Sequence, residues 1–308
     1  MPKVSVIIPT YNRADFLSSC VNSVLKQTFE DYELIISDDA STDRTKQYVE
    51  SISDPRVVYV CNKTNRGVAA TRNSALKISR GDYIAFLDDD DEWLPEKLSF
   101  QVEKIEKSPS DIGGIYTGVS YLDLELGEIT SVSDPHIRGN ILNEILPENF
   151  LVTSSLLLRK SCFEKAGLFD ERFQFGEDFD MWIRIASYYK FDFIKEPLVK
   201  YAIHESKITL NYQKVISGLE LLLSKHKGLF SLNKKAFSDY TLGLGIFYCY
   251  NKDTRKGRKT FIEAIKLNPF NIKHYYNFAL SMLGARAFMK IKIHRSSLSN
   301  ALKSLTYV

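Results

Sequence analysis

The chain has 308 residues, 44% of them hydrophobic and 26% charged, so it can bury a sizeable core and is expected to be water-soluble and globular. Its formal charge of +3 hides an asymmetry. Residues 251–308 hold 12 Lys/Arg against 2 Asp/Glu, a net of +10, which leaves −7 for residues 1–250. Four cysteines (Cys20, Cys61, Cys162, Cys249) lie far apart without Cys-x-x-Cys or Cys/His spacing, which argues against a zinc site or disulfide framework and fits a reducing compartment. The opening MPKVSVIIPTYNR is too short for a signal-peptide core and lacks a small-residue cleavage site; no run approaches 18 apolar residues. Neither a signal peptide nor a membrane span is expected.

In chain order, KVSVIIPTY is a β-branched run ended by Pro9 and reads as a buried strand. ADFLSSCVNSVLKQTF follows with Phe16, Leu17, Cys20, Val24 and Leu25 at helical spacing. YELIISDD is a second strand, and Ser41, Thr42 and Asp43 supply a capping start for the helix RTKQYVESI. RVVYVCN, GVAATRNSALKIS and GDYIAFLDDDD then read as strand, helix and strand. Such alternation implies a mainly parallel sheet, in which ligands sit beyond the carboxyl ends of the strands. Asp38/Asp39 and Asp88–Asp91 both lie at those ends and are expected to share a crevice. From about Gly113 to Tyr201 short strand-like pieces (GGIYTGVSYL, VTSSLLLRK, FDFI) surround a helix, EDFDMWIRIASYY. Beyond Thr209 only helices are expected, which puts the boundary of a catalytic domain, 1–210, against a helical region, 211–308.

Four adjacent carboxylates repel one another, so the run LDDDDEW needs a reason. Carboxylates at i and i+2 on a loop leaving a strand can converge on a hard divalent cation such as magnesium or manganese. An acidic turn that caps the following helix is the plainer alternative. An EF-hand is excluded because the sixth position from Asp88 is Trp93, not Gly. A phosphatase-type DxDx(T/V) pattern meets Glu92 at its last place, and the chain has neither a Walker A sequence nor GxGxxG.

The motifs VSVIIPTYNR, SDDASTD, NRGVAATRN, GDYIAFLDDDDEW and FGEDFDMWIR stand in the order and spacing of family 2 glycosyltransferases, and over residues 1–210 the chain resembles that family. The resemblance implies an α/β GT-A fold, the Rossmann-like mixed sheet of nucleotide-diphospho-sugar transferases with helices on both faces. It also implies a nucleotide-sugar donor, a Mn2+ or Mg2+ ion and inversion at the anomeric carbon. Position by position, Thr10 and Tyr11 match residues that contact base and ribose. Asp39 matches the carboxylate that reads a uracil edge, for which an acceptor-only group suits the base N3–H; a helix cap is its other reading. Arg72 falls where the family places a cation near the nucleotide, or else it makes a surface ion pair. Asp90 matches the metal-binding aspartate and Asp88 one that faces ribose or a metal-bound water, while Asp89 and Asp91 match no role.

Asp178 matches the catalytic base, with Glu177 beside it to contact the acceptor. A positioned carboxylate that takes the proton of an attacking sugar hydroxyl contributes about 10²–10⁴-fold. Both also sit at a helix start, where negative charge complements the dipole. Phe179 and Trp182 border the acceptor pocket or belong to the core. His204 falls where family members keep a histidine that touches metal or diphosphate, and a structural role is its alternative.

Residues 238–271 fit one 34-residue tetratricopeptide period through Leu244, Gly245, Tyr248, Phe261, Ala264 and Pro269, with a half-repeat (Tyr275, Phe278, Ala279, Met282) after it. RAFMKIKIHR, Arg286 to Arg295, interleaves cations with Phe288, Met289, Ile291 and Ile293, a pattern that can lie on an anionic membrane surface or form a solvated basic face. No nucleic-acid motif accompanies the charge, and no nucleic-acid partner is expected. The expectation is therefore a cytoplasmic, metal-dependent, inverting transferase at the inner face of a membrane, acting on a glycan or lipid-linked glycan. A nucleotide-binding scaffold without catalysis and a metal-dependent nucleotidyltransferase are the readings from other classes.

Overall fold

The computed structural model describes residues 1–204 and 211–295. The expected boundary at residue 210 lies outside the described residues. The chain divides into two compact units: Met1–Ile141, Leu151–Glu171 and Met181–Thr209 form one, and Leu142–Phe150, Arg172–Asp180 and Leu210–Val308 the other.

The first unit is built on a nine-stranded mixed sheet in the order β3-β2-β1-β4-β8-β6-β9-β5, with β7 paired to β6. Strand β1 (Val4–Thr10) is buried along its whole length, as its unbroken apolar run requires. It lies parallel between β2 (Tyr32–Asp38) and β4 (Tyr83–Phe86), and β3 (Val57–Cys61) continues the parallel set beyond β2. Helices α1 (Ala14–Leu25), α2 (Thr45–Glu50) and α3 (Val68–Ile78) connect these strands. Asp43 Oδ1 accepts from the Thr45 amide (3.0 Å) and hydroxyl (2.6 Å) at the entry to α2, whose N-cap is Arg44 without a side-chain cap bond; Ser41 and Thr42, also expected to cap, pair with Asn12 instead.

Beyond β4 the sheet turns mixed. The two-residue strand β5 (Glu92–Trp93) follows the acidic run and leads to α4 (Lys97–Lys107). Strand β6 (Ile112–Asp123) leads to the exposed β7 (Glu128–Val132). Strand β8 (Leu157–Arg159) pairs antiparallel with both β4 and β6, and β9 (Lys190–Ile203) runs parallel to β6. Strand β5 pairs antiparallel with β9, Trp93 opposite Val199, and the Leu94 amide donates to Leu198 O at 3.0 Å. The chain on the far side of the four aspartates is thus pinned to the longest strand of the sheet. Short helices α5 (Leu142–Ile145) and α6 (Ser161–Ala166) precede α7 (Glu177–Ala186).

The second unit is helical: α8 (Tyr212–Lys225), α9 (Lys227–Leu232), α10 (Lys234–Tyr250), α11 (Thr254–Leu267), α12 (Ile272–Ser281) and α13 (Ala285–Arg295). Helices α10 and α11 occupy the expected tetratricopeptide period. A Cβ on Gly245 would stand 2.5 Å from the Phe261 ring and one on Gly257 2.5 Å from Cys249 Sγ, so two absent side chains let the helices meet. The stretch expected to offer apolar residues outward from α13 does the reverse for two of them. Phe288 is fully buried and stacks on Phe261 (centroids 6.2 Å, 19°), and Ile291 packs on the same core. Burial against aromatic neighbours wins over exposure for these residues. The side chain of Ile293 lies outside the described residues.

Candidate active site

The four aspartates that follow β4 are held by four different sets of partners. Asp88 Oδ1 accepts from Arg72 Nη2 at 2.8 Å. Asp89 accepts from the Thr10 hydroxyl at 2.7 Å and faces Arg13 Nη1 at 3.5 Å. Asp90 Oδ2 accepts from Arg13 Nη2 at 2.8 Å and lies 3.1 Å from His204 Nε2. Asp91, fully buried, accepts from the Ser154 hydroxyl at 2.6 Å and from the Ala202 amide of β9 at 3.1 Å. Repulsion within the run is offset in the protein itself, by two guanidinium groups and by donors from β1, β9 and the 3-10 turn Thr153–Ser155. The sequence had pointed to a cation and a diphosphate as the offset; in the folded chain these protein groups give each of the four carboxylates a partner. Burial still dominates at Asp89: it pushes the carboxyl up to about 7, Asp90 and Asp88 add to the rise, and Arg13 and Thr10 oppose it.

Arg13 is central and was missed from the sequence. Its guanidinium serves Asp89 and Asp90, lies 3.2 Å from His204 Nε2 and covers the Phe16 ring at 5.0 Å. Phe16 in turn stacks on His204 (centroids 4.9 Å, 18°). The signal available was a cation closing PTYNR at the end of the first strand, where the second acidic cluster also ends. Asp89 and Asp91, left without a role by the sequence, tie the loop to β1 and to β9.

The expected nucleotide residues are distributed as follows. Thr10 is buried and engaged with Asp89, whereas Tyr11 is 44% exposed at the strand end. Asp39 is buried and accepts from Asn62 Nδ2 (2.8 Å), the Arg66 amide (2.9 and 3.0 Å) and the Gly67 amide (2.7 Å). These amides belong to the loop that enters α3, whose N-cap Gly67 makes no side-chain cap, and a base edge would compete with them for the carboxylate. Arg72 makes no surface ion pair. It is buried, its guanidinium lies 5.5 Å from the Phe169 ring centroid, and it pairs with Asp88. Asn12, at φ +51°, takes the Thr42 amide on its side-chain oxygen at 2.7 Å, and its own amide donates to Ser41 Oγ at 2.8 Å. The loops beyond β1 and β2 are thereby stitched together at the carboxyl ends of the strands.

Of the three residues expected to hold a metal, Asp90 and His204 converge and Asp88 turns one oxygen to Arg72. Among the described residues no three His, Cys, Asp or Glu side chains are grouped for one ion. A hard cation that also binds substrate phosphates needs only one or two protein ligands. Asp90 supplies one such ligand, a carboxylate whose Oδ2 is engaged by Arg13 Nη2 and lies 3.1 Å from His204 Nε2.

Glu177 and Asp178 open α7 and belong to the second unit. Glu177 is buried, Asp178 is half-buried, and Asp178 Oδ1 accepts from the Phe179 amide at 2.7 Å. Phe179 is fully buried and stacks on Tyr240 (5.7 Å, 18°), so it belongs to the core of the second unit. Burial pushes the Tyr240 phenol up, and the charges of Glu148 and Asp178 push it further. Trp182 is likewise core, packed near Phe86 (6.4 Å) and Phe169 (6.3 Å).

Residues 5–163, which carry every strand end just described except that of β9, match the profile of Glycosyl transferase family 2. The chain belongs to this family. An uncharacterized glycosyltransferase of Methanocaldococcus jannaschii is 33% identical over 220 residues, covering 66% of this chain and 71% of that one. A putative colanic acid biosynthesis glycosyl transferase, WcaA, of Escherichia coli is 29% identical over 257 residues, covering 78% and 87%. The structure of Staphylococcus aureus TarS 1–349 in complex with UDP-GlcNAc superposes with a TM-score of 0.58 at 20% identity, over 85% of this chain and 89% of that one. The fold is therefore GT-A-like with a helical C-terminal region, as the motifs imply. This family 2 glycosyltransferase is related to enzymes of polysaccharide biosynthesis. Among its described residues no helix is long and apolar enough to cross a membrane.

Proposed function

We propose that this family 2 glycosyltransferase moves one sugar from a UDP-sugar to a hydroxyl of a glycan or lipid-linked glycan, with inversion, in the synthesis of a surface polysaccharide. The observation that carries the reading is the cluster of Asp88, Asp90, Arg13, Arg72 and His204 beyond β1 and β4. Paired carboxylates and cations at such strand ends suit a diphosphate and its counter-ion. The relative with a colanic acid role and the structural neighbour holding UDP-GlcNAc support the substrate class. In this reading Thr10, Tyr11, Asp39 and Arg72 line the nucleotide site and Asp88 faces the ribose. Asp90 and His204 would hold a Mn2+ or Mg2+ ion, which supplies charge stabilisation to the departing diphosphate when bound. Asp178 takes the proton of the acceptor hydroxyl and Glu177 orients that acceptor.

The test is thermal stabilisation by UDP, GDP and CDP, each with and without manganese, on the wild type and Asp90→Asn. A shift specific to UDP plus manganese and lost in the variant is expected. No shift with any nucleotide would overturn the donor assignment. The proposal extends to a peripheral site on an anionic membrane. The +10 balance of residues 251–308 and the exposed Phe270, Ile272, Met282 and Leu283 support it. Sedimentation with anionic but not neutral liposomes is expected; equal binding to both would sink the electrostatic version.

A further inference from the structure

The segment Arg172–Asp180 belongs to the same compact unit as the C-terminal helices, and those helices grip it at four places. Asp180, fully buried in the first turn of α7, accepts from Lys225 Nζ on both oxygens (2.8 and 3.0 Å), and His226 Nε2 lies 2.8 Å from Oδ1. Lys225 is the last residue of α8 and His226 its C-cap. The Lys225 ammonium also covers the ring of Phe173 at 5.5 Å. Phe179 stacks on Tyr240 of α10. Gly218 of α8 leaves no room for a Cβ against the Phe175 carbonyl, so the backbones are in direct contact there.

The geometry of an α-helix gives these contacts a consequence. Residues two apart on a helix point about 200° from each other, at about 100° per residue. Anchoring Asp180 on the inner face therefore sets the direction of Asp178, which is half-buried. A buried ion cluster is no better than apolar packing at holding a helix in place, and is often worse. What it adds is directional contact with both oxygens of one carboxylate.

We propose that Asp180, Lys225 and His226 form a positioning device that sets the angle at which Asp178 meets the acceptor, so that α8 and α10 are part of the transfer apparatus. This rests on the reading of Asp178 as the base. The three residues do not touch substrate; they act through the first turn of α7.

The experiment uses the full chain and UDP-glucose and UDP-GlcNAc as donor probes, with UDP release as the readout. Asp180→Asn, Lys225→Met and His226→Gln are compared with the wild type for kcat, donor KM and thermal shift by UDP. The expected result is a kcat lowered about 10- to 100-fold by misplacement of the base, with donor KM and the UDP shift within twofold of wild type. Lys225→Arg should recover most of the activity lost in Lys225→Met. Wild-type kcat in a folded Lys225→Met would overturn the positioning role while leaving the transferase reading intact. A loss of kcat matched by loss of the UDP shift would overturn it too, because it reports general unfolding. Should Asp180→Asn fail to fold, Lys225→Met and His226→Gln decide alone, since each leaves the other side chain in place on Asp180. A wild type that releases no UDP from either donor overturns the transferase reading first, and the positioning role with it.

Discussion

Lys97, the first residue of α4, is fully buried, with its Nζ 2.7 Å from Gln101 Oε1 and 3.8 Å from the centroid of the Trp93 ring. Trp93 itself donates Nε1 to Ser154 O, and Ser154 holds Asp91, so the lysine lies under the acidic loop. Burial holds its pKa well below the ordinary lysine value of about 10.4. The sign follows from proton counting. Between the folded and unfolded pKa the unfolded chain binds one more proton than the folded one, so stability rises with pH by about 1.36 kcal/mol per unit and levels off near 10.4. Lys97→Met removes this slope. Its absolute effect at one pH mixes several contributions, including Gln101 Oε1, which would lose its donor at a cost of about 1–3 kcal/mol. The pH dependence isolates the charge. Wild type should therefore gain on Lys97→Met as pH rises above the folded pKa, by at most about 1.36 kcal/mol per unit.

The assay is urea unfolding followed by tryptophan fluorescence at pH 7, 8 and 9. The chain has two tryptophans, Trp93 and Trp182, both buried and both in the first unit, so the signal reports that unit. Stability curves for wild type and Lys97→Met that run parallel across this range would refute the reasoning. They would mean that Lys97 keeps its proton in the fold, held by the Trp93 face and Gln101.

Two further outcomes follow from the packing. Asp91→Ala should cost about 2–5 kcal/mol in the same fluorescence assay, because the Ala202 amide and Ser154 hydroxyl lose a buried acceptor; a cost below 1 kcal/mol would mean that water replaces the carboxylate. Gly245→Val should destabilise the second unit by about 1–3 kcal/mol, since the new Cβ meets the Phe261 ring. Hydrogen exchange across α10 and α11 is the measurement, and unchanged protection there would remove the close-approach argument.

What could be read in the sequence was what neighbouring residues decide. Apolar runs make β1, β2 and β4 legible because a strand buried on both faces needs no long-range information to be recognised, and VVYV marks the partly buried β3 through its β-branched residues. Gly245 and Gly257 mark a helix pair through their own lack of a side chain. Strand β5 has two residues and exists through its pairing with β9, and β7 is exposed along its length and carries no apolar pattern. Neither leaves a local trace.

The site divides the same way. That four adjacent carboxylates need compensation follows from charge alone, but the compensating groups are remote. Arg13 is 77 residues from Asp90 and the Ala202 amide 111 from Asp91. The motif assigns Asp88 and Asp90 to a ligand and leaves Asp89 and Asp91 without a role, although the fold must exist before the ligand arrives. In the folded chain Asp91 and Asp89 are committed to β9 and β1. Asp88 and Asp90 face Arg72 and Arg13, cations whose chemistry also suits phosphate. The same separation in sequence hid the partners of the turn that carries Asp178, where Asp180 meets Lys225 and His226 from 45 and 46 residues away. A helical region that reads as an appendage by composition thus supplies the contacts that fix GEDFD. This is why removing charge at Lys225 is expected to act on kcat and to leave the nucleotide site unchanged.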